Sequence, residues 1–182
     1  NPFDETLAAN AEPLDGPFTS ALEALAAAHD VTIGAGMLEQ AENAGKVCNT
    51  VVAVAGSGIV ASYRKQHLYD AFGQLESDWV QPGALTLPET FDVDGLRCGL
   101  MTCYDVRFPE SARVLADAGV HAILIPAQWV RGPLKEHHWL TLTTARAIEN
   151  TLYVAGADHP PPLGVGRSVI VDPQGVVIAQ IA

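Results

Sequence analysis

The sequence predicts an α/β protein, and three observations carry the prediction. Short apolar, β-branched runs of strand length recur from Val31 to the end of the chain. Segments with helical apolar spacing are interleaved with them rather than gathered at one end. Several of the strand runs have little polar alternation, which suits sheets covered by helices on one face and by another sheet on the other. No repeat, linker or low-complexity segment divides the chain, so residues 1–182 are read as a single domain.

In chain order, "DGPFTSALEALAAAHD" opens the pattern: Pro17 stands near its start, and Phe18, Leu22, Leu25 and Ala26 recur at helical spacing up to His29-Asp30. "VTIGAGML" reads as a strand, followed by a Gly/Asn-containing turn and two more strands, "CNTVVAVAG" and "GIVASYRK". Asp94-Gly95 between "TFDVDG" and "LRCGLMTC" is a two-residue hairpin signal. "FPESARVLADAG" is a second helix with Gly119 as its C-terminal stop, "VHAILIPA" a buried strand and "EHHWLTLTTARAIENT" a third helix. The strand "LYVAGAD", the loop "HPPPLGVG" and a hairpin-like pair in "RSVIVDPQGVVIAQIA" complete the chain.

Composition narrows the function. The formal charge of -11 and the scattered Lys and Arg argue against a nucleic-acid or anionic-membrane surface. No unbroken apolar run reaches the roughly 18 residues a membrane helix needs. Three cysteines, Cys48, Cys98 and Cys103, form no CxxC pair and suggest neither a disulfide framework nor a zinc site, so a reducing, cytoplasmic setting is expected. "NPFDETLAANAEPLDGPF" has no basic or apolar leader character, hence no signal peptide is expected, and it has no initiator Met.

The chemistry centres on "GLMTCYDVRFPE". Cys103 stands where an apolar strand gives way to a turn and a helix near Pro109, with backbone N–H groups available to a thiolate or an oxyanion. The alternative is a small buried hydrophobe, which is the reading given to Cys48 and Cys98. Gln128 and Trp129 also follow a strand, at the end where α/β proteins put ligands, and are assigned to a substrate pocket; a core role for Trp129 stays open. Glu39 and Glu42, in the polar stretch "EQAENAGK", are read as surface residues.

"CGLMTCYDVRFPE", "YRKQHLYD", "IPAQWVRGPLKEHHWLTLTTARAIENTLYVAGAD" and "VGRSVIVDPQG" together resemble the nitrilase (carbon-nitrogen hydrolase) superfamily, in the family's order and over most of the chain. The resemblance implies a four-layer α-β-β-α sandwich, truncated at both ends. It implies a cysteine-thioester hydrolase in which Cys103 is the nucleophile, while Lys65 and the N–H of Tyr104 stabilise the oxyanion. Glu76 resembles a further family glutamate that orients the lysine or helps position substrate and water. Arg107 and Glu110 are expected to fix the elbow by ion pairing, and Arg146, Glu149 and Asn150 to mark the helix facing the site. No metal or organic cofactor is implied. The motif variant is closer to the amidase branch, so the expected substrate is a short carboxamide such as an ω-amide of a dicarboxylic acid. A homodimer or larger homo-oligomer is implied, pairing near the helices opened by Phe108 and by His137.

The family also uses a glutamate as general base, in a strand ending Pro-Glu upstream of the segment that looks like "AEPLDGPF". Only ten residues precede that segment here, and Glu5 has no apolar run before it. The chain also stops at Ile181-Ala182 within an apolar run. The expectation is therefore a fragment, inactive on amides by itself. A rival expectation is a non-catalytic homologue that keeps the pocket without the base. A second rival is a Cys-His thiol hydrolase using His67, His137, His138 or His159. Metal binding by His137-His138 is disfavoured, because adjacent helical residues diverge by about 100°.

Overall fold

The computed structural model describes residues 5–43 and 45–181, with side chains from residue 8 onward. Asn1 to Asp4, Ala44 in the expected turn, the Glu5 side chain and the terminal Ala182 lie outside the described set. Two compact units divide the chain, Asn1–Thr86 and Leu87–Ala182.

In the first unit a 3-10 turn, Glu5–Asn10, precedes helix α1 (Pro17–His29). Gly16 has no side chain with which to cap α1, and the Glu12 carboxylate takes that part by accepting the Phe18 N–H at 2.7 Å. The helix ends at Asp30, whose left-handed backbone lets its N–H return to the Ala26 carbonyl. Three antiparallel strands follow: β1 (Ile33–Gln40), β2 (Val47–Ala55) and β3 (Gly58–Arg64), in that spatial order. Phe18 and Leu22 of α1 pack with Leu14 on Met37, Val52 and Val54 of one sheet face. Leu25, on the stripe the sequence predicts to be apolar, is 50% exposed, whereas its neighbour Ala26 is buried.

One expectation is corrected here. Glu39 is 4% exposed rather than a surface residue. β1 runs two residues past "VTIGAGML", so Glu39 pairs with Cys48 and inherits the inward row of Met37. Its carboxylate accepts from Thr50 Oγ1 (2.7 Å), Arg64 Nε (2.8 Å) and Arg64 Nη2 (2.5 Å). Burial pushes the Glu39 carboxyl up, but the Arg64 and Thr50 hydrogen bonds and the guanidinium charge outweigh it and hold it below the ordinary carboxylate range.

The second unit is a six-stranded sheet whose spatial order follows the sequence: β4 (Thr90–Val93), β5 (Leu96–Leu100), β6 (Ala122–Ala127), β7 (Tyr153–Asp158), β8 (Val169–Val171) and β9 (Val177–Gln180). The β5–β6 and β6–β7 pairs are parallel and the flanking pairs antiparallel. Asp94 (φ 49°) and Gly95 (φ 81°) both take left-handed backbone in the β4–β5 hairpin, as the Asp-Gly signal requires. Helix α2 (Pro109–Asp117) makes the first parallel crossover and α3 (Lys135–Asn150) the second. Ala112 and Leu115 of α2 and Trp139 and Ala147 of α3 share one core with Ile123, Ile125, Val154, Val169 and Val171. Gly156 makes room for this packing, since a Cβ there would sit 2.6 Å from Trp139 Cζ2. Among the described residues no helix is long and apolar enough to cross a membrane.

Because the folded-state carboxyl of Glu39 is depressed, its contribution to stability is fully present above the unfolded value of 4.5 and is lost as pH falls through the folded one. Urea unfolding of the wild type should weaken over that acid interval, and Glu39→Gln should flatten this limb. At neutral pH Glu39→Ala should cost about 1–2 kcal/mol, less than for a fully enclosed pair because Arg64 keeps part of its side chain in water.

Candidate active site

In the second unit the site is built at the carboxyl ends of the three parallel strands. Beyond β5 the chain stays extended through Thr102 (φ -143°, ψ 132°), and the Met101 N–H still reaches the Leu124 carbonyl. Cys103 then takes φ 48°, a left-handed value uncommon for a residue with a Cβ, and begins a 3-10 turn, Cys103–Arg107. A reciprocal cap secures the turn: the Thr102 N–H donates to Asp105 Oδ2 (3.1 Å), and the Asp105 N–H donates to the Thr102 side chain. The Thr102 hydroxyl in turn donates to the Pro126 carbonyl of β6 (2.8 Å). The half-buried thiol of Cys103 faces the main-chain carbonyl of Gln128, 3.6 Å from Sγ.

Trp129, beyond β6, is enclosed. Its indole N–H donates to the Lys135 carbonyl (2.8 Å), its ring centroid lies 5.4 Å from that of Trp139, and Arg107 and Lys135 stand over it at 5.0 and 5.3 Å. Tyr104 packs edge-on against Phe108 at 5.6 Å. The Arg107 guanidinium lies over the Tyr104 and Trp129 rings and 3.3 Å from His138 Nδ1, while Glu110 is exposed on the first turn of α2. Two aromatic rings and His138 therefore flank the elbow arginine. Desolvation and the nearby charges of Arg107, His137 and Lys135 hold His138 below the usual imidazole range. Arg146 donates to the Val106 carbonyl (3.0 Å) and pairs with Glu149 (2.7 Å), tying α3 to the turn that Cys103 begins.

At the end of β7, Asp158 is a buried acid that the sequence reading did not single out. Its Oδ1 accepts from the Trp129 N–H (2.8 Å), and Oδ2 accepts from the N–H groups of Gly166 (2.8 Å) and Arg167 (3.4 Å). Burial pushes its carboxyl above the ordinary range, against the pull of those backbone donors. The available signal was its position, closing an apolar strand as Cys103 does.

The first unit carries the other predicted polar residues. Lys65 follows β3 and is 2% exposed; Glu76, in the 3-10 turn Glu76–Asp78, is 1% exposed. Lys65 Nζ lies 2.5 Å from Glu76 Oε2, which also accepts the Tyr69 N–H, and Asn49 Nδ2 donates to Oε1 at 3.2 Å. Main-chain bonds from Lys65 N–H to Asn49 (2.8 Å) and from Gly83 N–H to Lys65 (2.8 Å) fix the lysine backbone. Enclosing an ammonium is tolerable only with such a partner. Asn49 was also overlooked, although an amide inside the apolar run "CNTVV" is a signal of this kind. Among the described residues no group of three or more His, Cys, Asp or Glu is arranged to hold a metal ion.

Residues 2–182 match the family Carbon-nitrogen hydrolase, and the chain belongs to that family. Deaminated glutathione amidase of Escherichia coli O157:H7 is 49% identical over 135 residues, 74% of this chain and 51% of that protein. The 2-oxoglutaramate amidase of Bacillus subtilis is 35% identical over 165 residues, 87% of this chain and 61% of that protein. The α/β fold matches Saccharomyces cerevisiae Nit3, a member of branch 10 of the nitrilase superfamily, with TM-score 0.84 and 25% identity over 98% of this chain and 67% of that one. These similarities put the chain in the amidase-like branch, and it spans only 51% and 61% of the length of the two amidases.

Burial pushes the thiols of Cys48 and Cys98 up, with the charges of Glu39 and Asp92 adding to it, and both side chains are enclosed. Iodoacetamide should therefore label Cys103 at least roughly tenfold faster than either, read by peptide mass spectrometry of folded protein. Glu76→Ala should strand the buried Lys65 ammonium and cost about 3–5 kcal/mol in urea unfolding, with Glu76→Gln losing less.

Proposed function

We propose that this chain carries the nucleophile and the oxyanion-stabilising cation of an enzyme that hydrolyses a small carboxamide to an acid and ammonia. Cys103 attacks the amide carbon and forms a tetrahedral oxyanion; stabilising that charge is the role the family resemblance gives to the Lys65 ammonium and the Tyr104 N–H. Ammonia departs with the proton taken from the thiol, leaving a thioester, and water then releases the acid and restores the thiol. Glu76 orients Lys65 and keeps it charged. Gln128 and Trp129 belong to the substrate pocket in this reading, with the Trp129 ring as part of the wall around the turn at Cys103.

The observation that carries the reading is the left-handed Cys103 at the end of a parallel strand, its thiol half-buried and its turn capped. A cysteine that served only as core would need no such backbone. The enclosed Lys65–Glu76 pair supports the cation's role from the other unit, since a lysine kept only for solubility would remain in water. The likeness to deaminated glutathione amidase and 2-oxoglutaramate amidase favours ω-amides of dicarboxylic acids as the substrate class. The two units are read as parts of one domain, supported by the family match over residues 2–182. A cytoplasmic protein fits its three free thiols, and a homodimer is what the family resemblance implies.

The general base stays outside this assignment. Among the described residues, the buried carboxylates of Glu39, Glu76, Asp105 and Asp158 are already bonded to cations or backbone N–H groups. The 182-residue chain alone is therefore expected to release no ammonia from ω-amides. A longer product that contains this chain together with a general-base carboxylate is expected to do so, with Cys103→Ala abolishing release and Lys65→Ala lowering kcat about 100-fold or more. Release that survives Cys103→Ala overturns the proposal. A longer product that binds ω-amides without cleaving them favours the non-catalytic homologue instead.

A further inference from the structure

The peptide group between Gln128 and Trp129 has both of its polar ends engaged. Its carbonyl faces the Cys103 thiol at 3.6 Å, and its N–H donates to Asp158 Oδ1 at 2.8 Å. A trans peptide is rigid and planar, with C=O and N–H pointing in opposite directions, so holding one end aims the other. An anion bonded to the N–H end also polarises the group and makes its oxygen a stronger acceptor.

We propose that Asp158 is a positioning residue for the nucleophile, acting through this one peptide group to hold the Gln128 carbonyl against the Cys103 thiol. The proposal rests on reading Cys103 as the reacting thiol.

Three features of the surroundings bear it out. The carboxylate lies at the end of β7, directly opposite Ala127 in the β6–β7 register, so it reaches the residues just beyond β6 without leaving the sheet. Among the described residues its carboxylate is bonded by main-chain N–H groups, from Trp129 on one side and from Gly166 and Arg167 on the other, and the His159 N–H next to it acts in the same direction. The Val165 N–H donates to the Trp129 carbonyl (3.0 Å) and the His159 N–H to Ala127 (2.9 Å), so the loop after β7 grips the same short segment at both ends. Burial disfavours the charged form of Asp158, and the backbone N–H groups around it work against that cost.

A hydrogen bond from S–H to a carbonyl stabilises the neutral thiol over the thiolate. Releasing the carbonyl should move the pH midpoint of Cys103 alkylation down. The experiment compares the pH–rate profile for iodoacetamide at Cys103 in the wild-type chain and in Asp158→Asn, Asp158→Ala and Asp158→Glu. Near-UV circular dichroism and slow labelling of Cys48 and Cys98 verify that each variant is folded. The nearly isosteric Asn variant serves if the others unfold. On the acid side of the midpoint the rate in all folded variants should rise about threefold, the change produced by a shift of about half a pH unit. An unchanged profile in a folded Asn variant overturns the proposal, leaving Asp158 a purely structural tie. A shift in Asn and Ala but not in a folded Glu variant also overturns it, because charge acting through space would then suffice without the clamp. Alkylation requires no turnover, so these outcomes are independent of whether any amide is hydrolysed.

Discussion

The left-handed backbone at Cys103 is the constraint from which the second unit's site follows. An L-residue with a Cβ gives up about 1–2 kcal/mol to sit there, and the surroundings offset it with directed hydrogen bonds. Thr102 and Asp105 cap each other across the turn, the Thr102 hydroxyl reaches over to β6, and Arg146 of α3 holds the Val106 carbonyl. The strand is thereby forced to stop, and the sulfur is turned out of the pleat toward the segment that follows β6. Strain of this kind persists where neighbouring structure over-determines it, which is also where reacting groups gather.

The first unit solves a different problem with the alternation of a strand. Arg64 and Lys65 are consecutive, so their side chains leave β3 on opposite faces. Arg64 turns to the face covered by α1 and meets Glu39, with 48% of its side chain still in water. Lys65 turns the other way, beside Asn49, and is enclosed with Glu76. The same cation–carboxylate chemistry gives a pair whose arginine is half in water and whose carboxylate is buried on one face, and a dry, oriented ammonium on the other.

Much of this was legible in the residues. The period-3.6 stripe in "PFTSALEALAAAH", the Asp-Gly hairpin and the apolar run before Cys103 each name their element because local chemistry decides them. What was not legible depends on register. Glu39 looks like a surface acid until β1 is known to extend far enough to bring it in line with Met37, and Leu25 sits on the predicted stripe yet at its open margin. The partners of Asp158 are 29, 8 and 9 residues away in the chain, so their meeting depends on the pairing of β6 with β7 and on the course of the following loop. The family resemblance drew attention to Lys65 and Glu76 together; their separation alone would not have joined them.

The strand order of the second unit has a bearing on how the molecule is made. Each strand lies beside the one synthesised just before it, so the sheet can lengthen at a single growing margin as the chain emerges. Neither parallel step requires a distant segment to be awaited, since each needs only one helix to form and fold back. Loop-closure entropy is spread over small increments, and unpaired amides on the advancing margin are covered by the next residues to arrive.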